Sequence, residues 1–237
     1  MILMGVVVCF ILFNLYTKKY NISKKYTYDI YLLACVSIMI GLGFAILFQL
    51  LFDLFSGTIR GTAMTFYGGL VGGVLTFLVG YFIILRKRYP EEKFSLNILP
   101  IAPCCITVAH GFGRIGCFLA GCCYGDETSS WLGVTFPGMN VSVLPTQLFE
   151  ALFLFILTTL LFYLAIKKKY IYTLPIYLAS YGVFRFLLEF LRGDNRGAFF
   201  LNLSPSQWFS IIALITSCVL IYLFKKKGLK NNVTRNN

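Results

Sequence analysis

Long apolar runs separated by short polar stretches organise this chain. They fall near residues 1–16, 29–55, 63–85, 97–120, 145–166, 171–191 and 205–224. Several reach the ~20 residues that a helix needs to cross a hydrocarbon core. Nothing between them carries the pattern of a soluble domain. The pattern predicts an all-α fold: a polytopic membrane protein of about seven transmembrane helices, forming a single membrane-embedded domain over 1–237. From about 225 the chain is polar and is predicted to be a disordered tail.

Composition agrees. The 237 residues are 58% hydrophobic and 13% charged, with a mean hydropathy of +0.79, where a soluble domain keeps roughly a quarter of its residues charged. The opening run, Met1 to Tyr16, lacks a basic start and a small-residue cleavage pattern. It therefore reads as a short first helix, not a cleaved leader.

The charges then orient the helices. One set of alternate loops holds Lys18, Lys19, Lys24 and Lys25, then Arg86, Lys87, Arg88 and Lys93. The set continues with Lys167 to Lys169, and with Lys225, Lys226, Lys227, Lys230 and Arg235. The positive-inside rule makes that side cytoplasmic, with the N-terminus outside and the C-terminus inside. The net charge of +12 thus reflects topology and contact with anionic membrane lipids, not nucleic acid. The basic residues left for the outer half are Arg60, Arg114, Arg185, Arg192 and Arg196. All are arginine, whose planar fork pairs bidentately with phosphate or carboxylate.

Charges inside spanning segments are costly and mark function by default. Arg185, Glu189 and Arg192 stand at i, i+4 and i+7 of the sixth segment, on one face if the helix continues. The plain alternative is an ion pair that fixes helix packing. The fourth segment closes on His110-Gly-Phe-Gly-Arg114-Ile-Gly-Cys117, followed by Cys122-Cys123-Tyr124-Gly125. His110, Arg114 and Cys117 share a helical stripe, and the glycines are expected to break the helix and expose backbone donors. His110, the sole histidine, is either a packing residue or a proton carrier. Cys117, Cys122 and Cys123 read first as small packing residues, with a disulfide open and a metal disfavoured, since Cys-x4-Cys-Cys fits no standard zinc spacing. The fifth segment opens Pro145-Thr-Gln147-Leu-Phe-Glu150, with Gln147 and Glu150 on one face. Tyr67 precedes glycines 68, 69, 72 and 73, which read as a small-residue packing face.

In order, these motifs are Tyr67-Gly-Gly-Leu-Val-Gly, Gly113-Arg-Ile-Gly-Cys-Phe with Tyr124-Gly125, Pro145-Thr-Gln-Leu-Phe-Glu, and Tyr181-Gly-Val-Phe-Arg-Phe-Leu-Leu-Glu-Phe-Leu-Arg192. The series resembles the prolipoprotein diacylglyceryl transferase family over nearly the whole chain. The resemblance implies a seven-helix enzyme of the bacterial plasma membrane, without cofactor or metal. Such an enzyme moves a diacylglyceryl group from phosphatidylglycerol to the lipobox cysteine thiol in a prolipoprotein signal peptide. It also implies that Arg114, Arg192, Gly125, Gln147 and Glu150 bind phosphatidylglycerol, and that Arg185 and Glu189 belong to the catalytic set.

This sequence departs from the family pattern in its proton-handling residues. Tyr67 stands where the family has histidine, Cys117 where it has asparagine and Cys122 where it has glutamate. Leu144 replaces a histidine of many members, and His110 often corresponds to glutamine. Either Tyr67 or His110 takes the base role, with His110 favoured because tyrosine's ordinary pKa is ~10. The alternatives are a paralogue acting on another acceptor, a phospholipid-binding protein without turnover, and a scaffold with structural ion pairs.

Overall fold

The computed structural model describes residues 1–56, 66–168, 170–192 and 203–226. Excepted are the side chains of Phe52, Phe55, Ser56, Phe66, Tyr67, Ser95, Leu96 and Lys168. It is all-helical; beyond helices and turns, the described residues form only isolated bridges, among them Glu127 with Val143 and Val134 with Val143. The seven long helices are α1 (Ile2–Lys19), α2 (Lys24–Ser56), α3 (Phe66–Gly80), α4 (Ala102–Leu119), α5 (Thr146–Lys168), α6 (Thr173–Leu188) and α7 (Pro205–Lys226). A π-helical stretch, Tyr81–Leu85, and the turn Arg86–Arg88 prolong α3, and a 3-10 turn, Glu189–Leu191, ends α6. All seven are long and apolar enough to cross a membrane. Large apolar side chains such as Leu50, Leu54, Leu152, Ile156 and Ile215 remain exposed along them. Lipid accepts such faces at no cost, whereas every backbone N–H and C=O is satisfied inside the helix.

The chain divides into two compact units, Tyr20–Lys93 on one hand and Met1–Lys19 with Phe94–Asn237 on the other. In the first, α2 packs on α3 through the glycines expected to form a packing face. A Cβ placed on Gly41 would stand 2.9 Å from the Gly69 carbonyl oxygen, and one on Gly68 2.9 Å from that of Phe44. Only hydrogen fits, and the backbones approach closely as a result. At one end of this hairpin Arg88 pairs with Asp29 at 2.9 Å, and the Tyr89 hydroxyl donates to the same carboxylate at 2.8 Å.

In the second unit α4 is the hub, packing on α1 and α5, while α6 packs on α5 and α7. Small and polar residues set the contacts. Gly5 faces the backbone of Ala109, and the buried Thr158 hydroxyl donates to that of Thr107 at 2.7 Å. The Ser217 hydroxyl donates to the Pro175 carbonyl at 2.8 Å. These pairings run α4 antiparallel to both α1 and α5, and α6 antiparallel to α7. One end therefore collects the start of α1, the end of α4, the starts of α5 and α7 and the end of α6. Lys18, Lys19, Lys167, Lys225 and Lys226 sit at the far ends of their helices.

Candidate active site

The lysine-free end of the second unit holds a buried polar cluster from α4, α5 and α6. Glu150, one turn into α5 and 1% exposed, is its centre. Its Oε2 lies 3.0 Å from Arg114 Nε. Its Oε1 accepts the Tyr181 hydroxyl at 2.7 Å and lies 3.6 Å from His110 Nε2. The His110 ring also meets the Tyr181 ring edge-on, at 5.2 Å. His110 and Arg114 are one turn apart on α4, so the expected stripe exists. The helix does not break at the glycines, however. It runs through Gly111, Gly113 and Gly116 to Leu119, because i to i−4 hydrogen bonds persist where lipid offers the backbone no other partner.

One turn further along α6, Arg185 Nη2 pairs with Glu189 Oε2 at 2.7 Å and donates to the Ser206 hydroxyl of α7 at 3.0 Å. The ion-pair alternative therefore describes part of what Arg185 does. Its second nitrogen, Nη1, is buried and has no hydrogen-bond partner. Gln147 Oε1, Glu189 Oε2 and Arg114 Nε are likewise buried without a hydrogen bond, the contacts of Arg114 with Glu150 and of Glu189 with Arg185 being ion pairs. A buried guanidinium donor without an acceptor costs several kcal/mol unless something fills the place. The open donor has the geometry to take an anion with several acceptor oxygens, which a guanidinium fork recognises best.

The expected single face of Arg185, Glu189 and Arg192 is corrected. Glu189 pairs with Arg185, but the α-helix ends at Leu188, the next residues tighten into a 3-10 turn, and Arg192 is extended, with φ −109° and ψ 119°. Turn geometry, not helical spacing, places its side chain. Asp194 and Arg196 lie outside the described residues, as does Arg60. Tyr67 lies in the first turn of α3, and its side chain is outside the described atoms.

The loop from α4 to α5 straps the site. Gly125 N–H donates to the Leu144 carbonyl at 2.8 Å, Leu144 N–H to the Asp126 carbonyl at 2.9 Å, and Asp126 N–H to the Leu191 carbonyl at 3.0 Å. This ties the ends of α4, α5 and α6 together. Gly125 is needed because a Cβ there would collide with the Leu191 carbonyl oxygen and stand 2.7 Å from the Thr146 methyl. Gln147, placed by sequence with the ligand set, uses Nε2 to donate to the Cys122 carbonyl at 2.6 Å. Thr146 donates its hydroxyl to the Cys123 carbonyl at 3.2 Å.

The three clustered cysteines are free thiols, and their sulfurs lie within 4.8 Å of one another. Cys122 is solvent-exposed and the other two half-exposed, which is not the environment of small packing residues. A hydrogen bond from Cys117 and the charges of Arg192 and Arg114 hold the Cys123 thiol below its ordinary pKa. Sequence reasoning left Tyr181 and Ser206 out of the site. Tyr181 was legible in principle, since it precedes Arg185 by one turn on the same face. Ser206 was not, because only the α6–α7 pairing brings it to the guanidinium.

Comparison with known proteins fits this architecture. The model of the family described as prolipoprotein diacylglyceryl transferase matches residues 1–223. Among curated proteins, "Phosphatidylglycerol--prolipoprotein diacylglyceryl transferase 2" of Clostridium perfringens is 38% identical over 176 residues, 72% of this chain and 66% of that protein. A phosphatidylglycerol--prolipoprotein diacylglyceryl transferase of Clostridium tetani is 35% identical over 170 residues, 69% of this chain and 64% of its own length. One of Finegoldia magna is 29% identical over 241 residues, 98% of this chain and 92% of that protein. The alignments to the two clostridial relatives thus span just under two thirds of those proteins.

Proposed function

The chain belongs to the prolipoprotein diacylglyceryl transferase family, and from that premise we propose that it transfers a diacylglyceryl group from phosphatidylglycerol to the lipobox cysteine thiol of prolipoproteins. It does so as a multi-pass protein of the bacterial plasma membrane, with its N-terminus outside. The observation that carries the reading is the buried, partnerless Arg185 Nη1 beside a cluster already charge-balanced by Arg114 with Glu150 and by Arg185 with Glu189. A phosphodiester supplies the acceptor oxygens that this donor lacks.

In this reading Arg114 and Arg185 grip the lipid phosphate, and Arg192 meets the headgroup at the mouth. Glu150 and Gln147 position Arg114 and the strap, with Gly125 at its closest approach. Glu189 fixes Arg185. The acceptor sulfur attacks the glycerol carbon next to the phosphate oxygen. The carbon–oxygen bond breaks, and glycerol phosphate leaves with the electron pair, its added charge stabilised by the two guanidiniums in a low-dielectric site. His110, with Tyr67 as the other candidate, handles the acceptor proton. A paralogue with another acceptor is the second reading, favoured by the thiols at Cys117 and Cys122.

The test is transfer of a labelled diacylglyceryl group from phosphatidylglycerol to a lipobox peptide, in detergent. Arg114→Ala and Arg185→Ala should each lower transfer by a factor on the order of 10² or more, the loss expected for removing one donor to a developing anion. Both proteins should still insert and fold. Normal transfer in both variants would reject the phosphate clamp. Robust lipid binding with no transfer to any lipobox peptide would favour the second reading.

A further inference from the structure

Cys117 closes the last turns of α4, three residues after Arg114, and Cys122 and Cys123 follow in the strap. Their linear spacing resembles no metal motif, yet the fold folds them onto one point. Gly121, with φ +63°, and Cys123, with φ +66°, both turn left-handed, which reverses the chain and returns the thiols toward Cys117. Gln147 and Thr146 of α5 hold the carbonyls of Cys122 and Cys123, so the ligand loop is anchored to the same helix that carries Glu150. All three sulfurs lie within 4.8 Å of one another. A tetrahedral zinc ion with sulfur at about 2.3 Å holds its thiolates about 3.8 Å apart, so the thiols need to draw in by at most about 1 Å.

We propose that Cys117, Cys122 and Cys123 form a thiolate site for a zinc-type ion whose open fourth position binds and activates the acceptor thiol. The inference rests on the transferase reading. Three protein ligands with a vacant position is the pattern of a catalytic zinc site, where a structural one is closed by four. Among the described residues, no histidine, aspartate or glutamate joins the three as a fourth ligand. An all-sulfur donor set selects thiophilic ions such as Zn2+ and Cu+ over hard ones. A disulfide would consume two of the thiols and strand the third. The positive charge of Arg114 reaches all three sulfurs and that of Arg192 reaches Cys123, which offsets the negative charge of a zinc trithiolate.

The chemistry also fills a gap in the cluster. Both carboxylates of the site are held by arginines, so neither is placed as a strong base for a thiol. A thiol that coordinates zinc loses its proton outright. Here that proton passes by way of His110, which then needs to act only as a weak base, to water as the acceptor cysteine takes the fourth position. The acceptor sulfur then forms its bond to the glycerol carbon of the lipid as the carbon–oxygen bond breaks. The electron pair departs on glycerol phosphate, now a dianion, and the thioether product, a poor ligand, leaves the ion.

The experiment uses the full-length, untagged protein in detergent, reduced, stripped with a chelator and titrated anaerobically with Co2+. One Co2+ per chain should bind, with the near-ultraviolet sulfur-to-cobalt charge-transfer absorption of a thiolate site, and Zn2+ should displace it. Cys122→Ser and Cys117→Ser should each remove or strongly weaken that absorption. Transfer to the lipobox peptide should fall on the order of tenfold or more in stripped protein, as weakening of a catalytic metal site does elsewhere, and return with Zn2+. Absence of the absorption in the wild-type protein overturns the site. Undiminished transfer by stripped protein overturns its catalytic role while leaving the transferase reading intact. A well-formed cobalt site with no transfer under any metal condition instead overturns the transferase reading on which the role depends.

Discussion

Two arginine–carboxylate pairs of nearly equal length make an instructive contrast. In the α2–α3 unit Arg88 meets Asp29 at 2.9 Å, with side chains 62% and 15% exposed. In the other unit Arg114 meets Glu150 at 3.0 Å, with side chains 18% and 1% exposed. Distance does not separate them; surroundings do. Unit charges at ~4 Å attract by about 1 kcal/mol in water and about 4 kcal/mol at an effective dielectric of 20. Arg88 points largely into the polar phase and shares Asp29 with the Tyr89 hydroxyl, where screening and side-chain entropy leave little net gain. Arg114 is committed to a carboxylate that also takes Tyr181 and faces His110, and it stands near a second, buried arginine with an open donor. The first pair is one solvent can screen, and the second has the burial that the proposed ligand site requires.

The largest effect expected from breaking the contrast is at Glu150. Glu150→Ala strands the Arg114 guanidinium in a dry site, and losing one partner of a buried pair costs about 3–5 kcal/mol. Thermal unfolding in detergent should shift markedly downward and transfer should vanish. Glu150→Gln keeps the acceptor for Tyr181 but not the charge, so it should recover much of the stability while transfer stays low. Equal stability of the alanine variant and the wild type would remove the distinction between the two pairs.

Next comes the strap. Gly125→Ala forces a methyl group toward the Leu191 carbonyl and the Thr146 methyl, and overpacking of this kind costs about 1–3 kcal/mol. Because Asp126 N–H holds the Leu191 carbonyl, the strain should open the tie between α5 and α6. Protease sensitivity confined to residues 120–145, with the helices intact, is the expected signature.

How much of this was legible in the residues differs by level. The helices were, since lipid leaves the backbone no other way to satisfy its groups, and apolar runs must be long. The His110–Arg114 stripe and the inward Glu150 were legible because helical spacing alone fixes which residues share a face. Arg192 was not, because a 3-10 turn begins at Glu189 and spacing says nothing about where an α-helix tightens. The convergence of Cys117, Cys122 and Cys123 was also hidden. It depends on two left-handed residues, and only one of them is the glycine that favours such a conformation. Ser206 needed the α6–α7 pairing, a tertiary fact.

Ser206 gives the next step down. Ser206→Ala removes one hydrogen bond from Arg185 Nη2 but leaves Glu189 in place. Interhelical hydrogen bonds of this kind in membranes average about 0.6 kcal/mol, so stability should barely change. The readout is affinity for phosphatidylglycerol: a guanidinium freed to swivel should bind the lipid more weakly, with the maximal transfer rate little altered.

The smallest effect belongs to the exposed pair and completes the contrast. Arg88→Ala takes away a guanidinium that is mostly in solvent, and exposed ion pairs contribute about 0–1 kcal/mol. Tyr89 continues to donate to Asp29, so the carboxylate keeps a partner and is not stranded as Arg114 is in Glu150→Ala. Transfer should match wild type within error, and the unfolding midpoint should move by little. Raising the salt concentration should shrink even that difference, because exposed charges are screened within about 10 Å at 0.1 M. The same salt series applied to Glu150→Ala should leave its deficit nearly unchanged. If both deficits respond alike to salt, burial is not what distinguishes the two pairs, and the assignment of the buried one to the ligand site loses its physical basis.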